Sequence, residues 1–411
     1  MIASGSGCIP GGLPFQDARD RILGLVDRLL SEEAVPLAFC VGRVLSQPII
    51  ARIDLPGFDQ AAMDGYAVHE VGAHLGTIMP VTGRTAAGEP PSHLALGSAH
   101  RILTGAPLPA GSDTVIPQEN IRRNRGLVTV TVMLPAGANV RRRGEDVRSG
   151  TELISAGTKL DWRHIAILAA QGIDVVQVRR RVRVTLLSSG RELCNPGEAP
   201  TLGQIYDSNL PMLSALLVTW GADVRAQPVI TDAVLPLQEA LENAAEGADL
   251  VLTTAGISVG DEDHMREALQ ALGGDLAVLK VAMKPGKPLA AGRLQKAIFI
   301  GLPGNPQAAL AGAVGFVQPL LARMAGTNPA APLCVRSDFF MRRKLGRTEF
   351  VPVRLTQRKA SIWAMRTGLE GSARLAPLLT ATGFALLEPS TSHVEQGDFL
   401  DVLPFLPESF V

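Results

Sequence analysis

The chain carries no excess charge of either sign: 39 Lys plus Arg stand against 39 Asp plus Glu. A neutral balance supplies no global field to hold a polyanion, so nucleic acid is excluded as a general partner and any anion site must be local. It also lacks a Cys-x-x-Cys pair. Cys8, Cys40, Cys194 and Cys334 lie far apart, which fits neither a disulfide framework nor a structural zinc site and predicts reduced, mostly buried thiols. Apolar stretches are broken by Gly, Pro or Arg before they reach bilayer length, so no membrane partner is expected. Residues 1–14 are rich in Gly, Ser and Pro without the basic start and apolar run of a signal peptide, and a cytoplasmic location is the expectation. The absence of Gly-x-x-x-x-Gly-Lys-Ser/Thr excludes a P-loop nucleotidase. Neither an internal repeat nor a low-complexity tract is found.

What is present is ample material for a core. At 411 residues, 46% hydrophobic and 19% charged, the chain is too long for one ordinary domain and too apolar for disorder, so two to four domains are expected. Ile22, Leu23, Leu25, Val26, Leu29 and Leu30 predict an amphipathic helix over 17–30 with Asp17 as its cap. Between 53 and 140 short apolar segments alternate with Gly and Pro signals and end in 127–132, which reads as a small β domain. A helix pattern at 161–171 follows it. The β domain is therefore read as an insertion, 53–140, between the halves 1–52 and 141–180 of one elongated domain. From 181 to 327 strands and helices alternate: strands at 182–187, 223–230, 249–252, 277–283 and 297–300, helices at 207–220, 233–245, 261–272 and 307–324. This pattern predicts an open α/β sheet with helices on both faces and ligands at the carboxyl ends of its strands. Residues 328–411 return to short alternating stretches and are expected to form a second β domain. The fold class is thus α/β plus β, multidomain.

Three strand ends in the α/β region have the composition that holds anions: Ser188-Ser189-Gly190, the loop 254–260 with Gly256, Ser258 and Gly260, and the loop 301–306 with Pro303 and Gly304. Small residues let a phosphate approach backbone N–H groups, and a helix dipole adds only about 0.3–1 kcal/mol per site, so several loops must cooperate. A single glycine loop would be a plain turn; three at consecutive strand ends point to use. Lys284-Pro285-Gly286-Lys287-Pro288 fixes two ammonium groups on a stiff turn suited to phosphate or another oxyanion. Glu192, Asp207, Asp232, Asp261, Glu262 and Asp263 gather near the same edge. Carboxylates beside a phosphate site suggest magnesium, although Asp207 and Asp261 also serve as helix caps in the blander reading. The run 141–146, Arg-Arg-Arg-Gly-Glu-Asp, reads by itself as a self-paired surface. The basic 179–183 reads as a strand edge guarded by charge.

Taken in register, MDGYAV (63–68), LTGAPLP (103–109), RRRGED (141–146), GQIYDSN (203–209), ISVGDEDH (257–264), KPGKP (284–288) and GLPGNP (301–306) closely resemble the molybdopterin molybdenumtransferase family, which includes the gephyrin E domain. The resemblance implies a four-domain, elongated homodimer with a central α/β molybdopterin-binding domain, an inserted β domain of the other subunit closing its cleft, and a C-terminal β-barrel-like domain. It implies that adenylylated molybdopterin and molybdate react with release of AMP, with the aid of Mg2+. A molybdopterin adenylyltransferase and molybdoenzyme apoproteins are the implied protein partners. By motif, the functional residues would be Asp64, Thr104, Asp146, Glu192, Asp232, Lys280 and Lys284. Ser188, Ser189, Gly190, Gly256, Ser258, Gly260, Asp263, Lys287, Pro303, Gly304, Arg347 and Ser372 would bind substrate, and Glu192 and Asp232 would hold magnesium.

Two positions depart from the family pattern. Its usual Gly-Gly before the SVG loop is Ala255-Gly256 here, and the usual acidic residue before Glu192 is Arg191. The methyl at 255 narrows the approach of a phosphate, and Arg191 replaces negative charge with positive. Two other readings share parts of the pattern: a pterin-binding scaffold without turnover, and a nucleotide-cleaving hydrolase sharing only the α/β domain. Retention of Asp64, Thr104, Asp146 and both lysines of KPGKP argues against the first, and the full-length match against the second.

Overall fold

Strands that are apolar without alternation must be covered on both faces. Three such strands, each with every residue or all but one buried, form the middle of one sheet. The computed structural model describes residues 12–255, 264–368 and 371–406. It divides into two compact units: Met1–Ser46, Gly157–Asp161 and Val175–Val411 in one, Gln47–Ala156 and Trp162–Asp174 in the other.

In the first unit the α/β region runs β1 (Arg183–Ser188), α1 (Asn209–Thr219), β2 (Asp223–Ala226), α2 (Val234–Ala245), β3 (Leu250–Thr254), α3 (His264–Ala271), β4 (Asp275–Leu279), β5 (Ala290–Leu294) and β6 (Ala297–Leu302). The sheet order is β2-β1-β3-β6-β5-β4. The first four strands in that order are parallel, while β5 and β4 run antiparallel to their neighbours. One face packs Leu186, Leu252, Leu217 and Val314; the other packs Leu187, Val251, Leu237 and Leu269.

The antiparallel edge was not expected, because β5 had been no part of the sequence pattern. Its Gly292 passes so close to β4 that a Cβ would lie 1.9 Å from the Asp275 carbonyl oxygen. The expected strand at 277–283 is also two elements. Lys280 takes a left-handed φ of 64°, which ends β4, and Met283–Lys284 pairs instead with a strand beyond residue 328.

After β6 a single helical run, Pro306–Ala325, is 20 residues long and apolar enough to cross a membrane by composition, yet 78% of its most apolar window is buried inside the protein. It is the core helix of this unit. A π-type turn, Ala313–Val317, interrupts its middle, and Gly326 ends it at φ 75°. The opening helix spans Phe15–Leu23 rather than 17–30, and no side chain caps it. Asp17 lies in its first turn, and the Gly24 N–H closes on the Asp20 carbonyl. Phe15 meets Phe316 at 5.1 Å and Phe350 at 5.2 Å, and Phe350 meets Phe384 at 5.8 Å. These tilted and edge-on contacts join the opening helix, the core helix and the C-terminal strands.

Those strands are β7 (Leu333–Ser337), β8 (Thr348–Arg358), β9 (Ser361–Arg366), β10 (Gly383–Leu387) and β11 (Phe399–Pro404). The pairings β8-β9-β7-β11-β10 return to β8 and close a barrel, which leaves no open edge. Val353, Ala364, Ala385 and Val402 fill it.

The second unit is built on a six-stranded sheet in the order Thr114–Pro117, Gly65–Val68, Ala99–Ile102, Ile78–Thr85, Leu127–Val130, Ile121–Asn124. Tyr66, Val68, Met79, Ile116 and Val128 pack one face. Gly65 is required by proximity, since a Cβ there would sit 2.2 Å from the Ile116 carbonyl oxygen. The unit also holds the helix Trp162–Ala170, of which only Leu168 is buried.

Candidate functional site

At the carboxyl end of β1, Ser188 and Ser189 are fully buried, and among the described residues neither Oγ finds a partner. Asn209, at the start of α1, donates through Nδ2 to Thr254 Oγ1 at 3.0 Å and to the Gly304 carbonyl at 2.6 Å. Asp207 Oδ1 accepts the N–H groups of Asn209 and Leu210 at 2.9 and 3.1 Å, so it caps the helix. Asp207 Oδ2 and Asn209 Oδ1 are buried without a partner among the described residues. Leaving such a group unpaired costs about 1–3 kcal/mol. A cluster of four at one sheet edge therefore points to polar atoms of a ligand or water as the missing partners.

The loops around this edge are close-fitting. Ala255 holds φ 66°, a conformation that Gly adopts freely and Ala only at a cost of about 1–2 kcal/mol. Its Cβ lies 3.3 Å from where a Cβ on Gly304 would be. The Glu192 carboxylate folds over Gly190, where a Cβ would be 2.7 Å from Oε2. Ser189 bridges Ile230, two residues before the half-buried Asp232. Pro303 is buried and Gly304 exposed. Gly256, Ser258, Gly260 and Asp263 lie outside the described residues.

A pocket of about 480 Å³ opens between the α/β region and the barrel, with Lys284, Lys287, Asn305, Gln307, Arg347 and Ser372 on its wall. Four of these were expected from sequence, and the fold brings them together from three separate segments. Lys284 ends the short strand Met283–Lys284, in register with β8 and opposite Glu349, and precedes a cis peptide to Pro285. Its Nζ lies 2.7 Å from Glu349 Oε1. The Ser372 carbonyl accepts the Gln307 N–H at 3.0 Å, which ties the loop after β9 to the start of the core helix. Lys280 is half-buried and not on this wall; its N–H is bonded to the Leu289 carbonyl at 3.0 Å. Four ammonium or guanidinium groups, those of Lys284, Lys287, Arg347 and Arg366, line one cavity and suit a multiply charged oxyanion.

In the second unit, Asp64 Oδ1 accepts both the N–H of Thr104 at 2.8 Å and its Oγ1–H at 2.7 Å. These backbone and side-chain bonds from Thr104, with Arg101 nearby, hold the Asp64 carboxyl below the usual carboxylate range. Asp146 is exposed, and its backbone N–H is anchored to the Leu55 carbonyl at 3.0 Å. Among the described residues the run 141–146 is self-bonded only through its backbone, where Glu145 Oε2 accepts the Arg142 N–H at 2.7 Å; the ion pairs of Arg142 and Arg143 leave the run, to Asp59 at 2.7 Å and Asp54 at 2.6 Å.

Among the described residues no three His, Cys, Asp or Glu side chains converge as a metal cage. Magnesium seldom needs one, since one or two carboxylates with substrate phosphates commonly suffice. The exposed Glu192 carboxylate, which forms no ion pair among the described residues, and the half-buried Asp232 fit that donor set.

Sequence reasoning passed over Asn209, Glu349 and Arg343. Asn209 was legible within GQIYDSN, whereas nothing local marks Glu349 inside an apolar strand.

Comparison with known proteins places these features in a wider set. Models of the MoeA N-terminal region (domain I and II), of a probable molybdopterin binding domain and of the MoeA C-terminal region (domain IV) match residues 13–172, 185–323 and 335–405. The chain is 32% identical over 403 residues to a molybdopterin molybdenumtransferase of Haemophilus influenzae, covering 96% of this chain and 98% of that protein. It is 37% identical over 323 residues to one of Nostoc sp., covering 76% and 74%. The solved structure of a molybdopterin biosynthesis moeA protein from Pyrococcus horikoshii OT3 superposes with a TM-score of 0.83 at 26% identity, covering 95% of this chain and 99% of that one.

Proposed function

Since the chain belongs to the molybdopterin molybdenumtransferase family and is a transferase of molybdenum cofactor biosynthesis, we propose that it inserts molybdenum from molybdate into adenylylated molybdopterin with release of AMP. The observation that carries this reading is the pocket in which Lys284, Lys287, Arg347 and Ser372 converge. It has the charge for a tetrahedral oxyanion and lies in the same unit as the unpartnered polar groups at the end of β1 and the start of α1.

In this mechanism the diphosphate bond of the substrate is cleaved as water oxygen adds to phosphorus, leaving AMP and the pterin phosphate. One oxide of molybdate departs as water with the two thiol protons when the dithiolene sulfurs bind the metal. Ser188, Ser189, Asn209 and the loop at Pro303-Gly304 orient the pterin nucleotide, while Lys284, Lys287 and Arg347 hold the oxyanion. Such groups, fixed before the reaction, stabilise developing charge without reorganising. Glu192 and Asp232 would hold Mg2+, which neutralises phosphate oxygens when bound.

We further propose a homodimer, because the helix Trp162–Ala170 leaves Trp162 74% exposed and buries only Leu168 within its own unit.

The test is AMP release from adenylylated molybdopterin by the purified chain with magnesium, with and without molybdate, beside Asp64→Asn. Molybdate-dependent release that fails in the variant supports the transferase mechanism and brings the Asp64 carboxylate into it. Tight pterin binding without AMP under any condition overturns turnover and leaves a binding scaffold, with Ala255 and Arg191 as the first positions to revert.

A further inference from the structure

A lysine on an exposed turn usually contributes a mobile charge. Lys284 does not, for two reasons given by the fold. The register of Met283–Lys284 on β8 places Lys284 directly opposite Glu349, and its Nζ meets Glu349 Oε1 at 2.7 Å. The lysine side chain is 49% exposed and the glutamate side chain 8%, so the pair has one end in the cavity and one in the protein.

The buried end is itself held. Arg343 Nε donates to Glu349 Oε2 at 2.9 Å, and the Arg343 side chain is only 2% exposed. Its Nη1 donates to the carbonyls of Glu388 and Thr391, each at 2.6 Å, and its Nη2 to the carbonyl of Arg347. All of its nitrogens are engaged with protein. Arg343 is therefore unavailable to a ligand, but it fixes Glu349 and the backbone that carries Arg347. Arg343, Glu349 and Lys284 sum to one positive charge, and that charge is displayed by Lys284. The ammonium has three N–H groups and spends one on Glu349, so it can bind an oxyanion without leaving the carboxylate.

Resting on the pocket reading above, we propose that Glu349 is a positioning residue for oxyanion binding: anchored by Arg343, it presents the Lys284 ammonium to the cavity. A carboxylate on the wall of an anion site would otherwise be a defect, since it repels the ligand. Its retention at this register makes sense if the orientation of Lys284 outweighs that repulsion.

The two effects have opposite signs, which makes the proposal testable by titrating the full chain with molybdate in a calorimeter. Glu349→Gln is nearly isosteric and makes the pocket more positive by one charge. Simple electrostatics then expects tighter binding, whereas the positioning role expects binding weaker by about threefold or more. Glu349→Asp keeps the charge, withdraws the carboxylate from Lys284 and should also weaken binding. In a Lys284→Met background, Glu349→Gln should add no further loss, which separates positioning from general damage to the barrel. Unchanged or tighter binding in both Glu349 variants, or an equal loss with and without Lys284, overturns the proposal. Wild-type affinity that is indifferent to Lys284→Met overturns the pocket reading and the role of Glu349 together, whereas binding that needs Lys284 but ignores Glu349 overturns only the latter.

Discussion

Asp64 and Thr104, forty residues apart in sequence, are joined by two hydrogen bonds to one carboxylate oxygen, 2.8 Å from the threonine N–H and 2.7 Å from its hydroxyl. The pair turns an exposed aspartate into an oriented anion. Both bonds favour the charged form and lower its pKa from the ordinary 3.8. Their contribution is thus present above that value and is lost as pH falls through the folded pKa. Thr104→Val keeps the N–H bond but removes the hydroxyl. An NMR titration of the Asp64 carboxyl should show its pKa rising toward 3.8 in the variant, and no movement would discount the hydroxyl.

His100 predicts a response at milder acidity. Its ring is buried in the second unit, with Nε2 2.8 Å from Thr85 Oγ1 and 3.2 Å from Ser92 Oγ. Burial pushes its pKa below the ordinary 6.5, against a smaller opposing effect of the Arg84 backbone. The unfolded imidazole then takes up a proton before the folded one does. Stability from this group is complete above about 6.5 and declines as pH falls toward the folded pKa. Thermal melts between neutral and mildly acidic pH should show this loss, and His100→Asn should flatten it.

A close contact beside that ring gives a second readout. A Cβ on Gly83 would sit 2.5 Å from His100 Cε1, so Gly83→Ala should destabilise the unit by about 1–3 kcal/mol through overpacking. Denaturant unfolding that matches wild type would mean the ring moves aside without cost.

Ala255 is strained by its φ of 66°, at the position where the family commonly has glycine. Ala255→Gly relieves that strain but adds freedom to the unfolded chain. The net expectation is a gain of about 0.5–1 kcal/mol in equilibrium unfolding, and lower stability would show that the methyl contributes packing that outweighs its backbone cost.

At the opposite end of the sheet Arg180 forks onto Asp249, with nitrogen to oxygen distances of 2.6 and 2.7 Å. Burial raises the Asp249 pKa, but the Arg180 fork and the Arg183 N–H outweigh it and leave the group below 3.8. Asp249→Asn strands a half-buried guanidinium and should cost about 1–3 kcal/mol. Because the folded carboxyl is the stronger acid, this cost should be seen in full at neutral pH and shrink in strong acid; a cost independent of pH would assign it to packing instead.

How much of this was legible beforehand follows from the range of each interaction. Burial on both faces left β1, β3 and β6 as apolar runs, and Gly221 at φ 91° marks the end of α1 as its residue type implied. The strand-end loops and the turn 284–288 were readable because small residues, prolines and lysines declare local geometry and charge. Composition and periodicity alone therefore determined the class of fold and the sheet edge where small-residue loops gather, while the seven motifs taken together carried the resemblance to a family.

Only the tertiary structure decided which of those groups meet. Arg142 and Arg143 read locally as a self-paired run, yet they find Asp59 and Asp54, 83 and 89 residues away. The antiparallel edge β5-β4 depends on the missing side chain of Gly292, which no periodicity announces. Lys284 faces Glu349 because two strands distant in sequence share a register. Local pattern specifies which face a residue presents, but pairing across the fold is settled by packing and charge between segments that sequence order keeps apart.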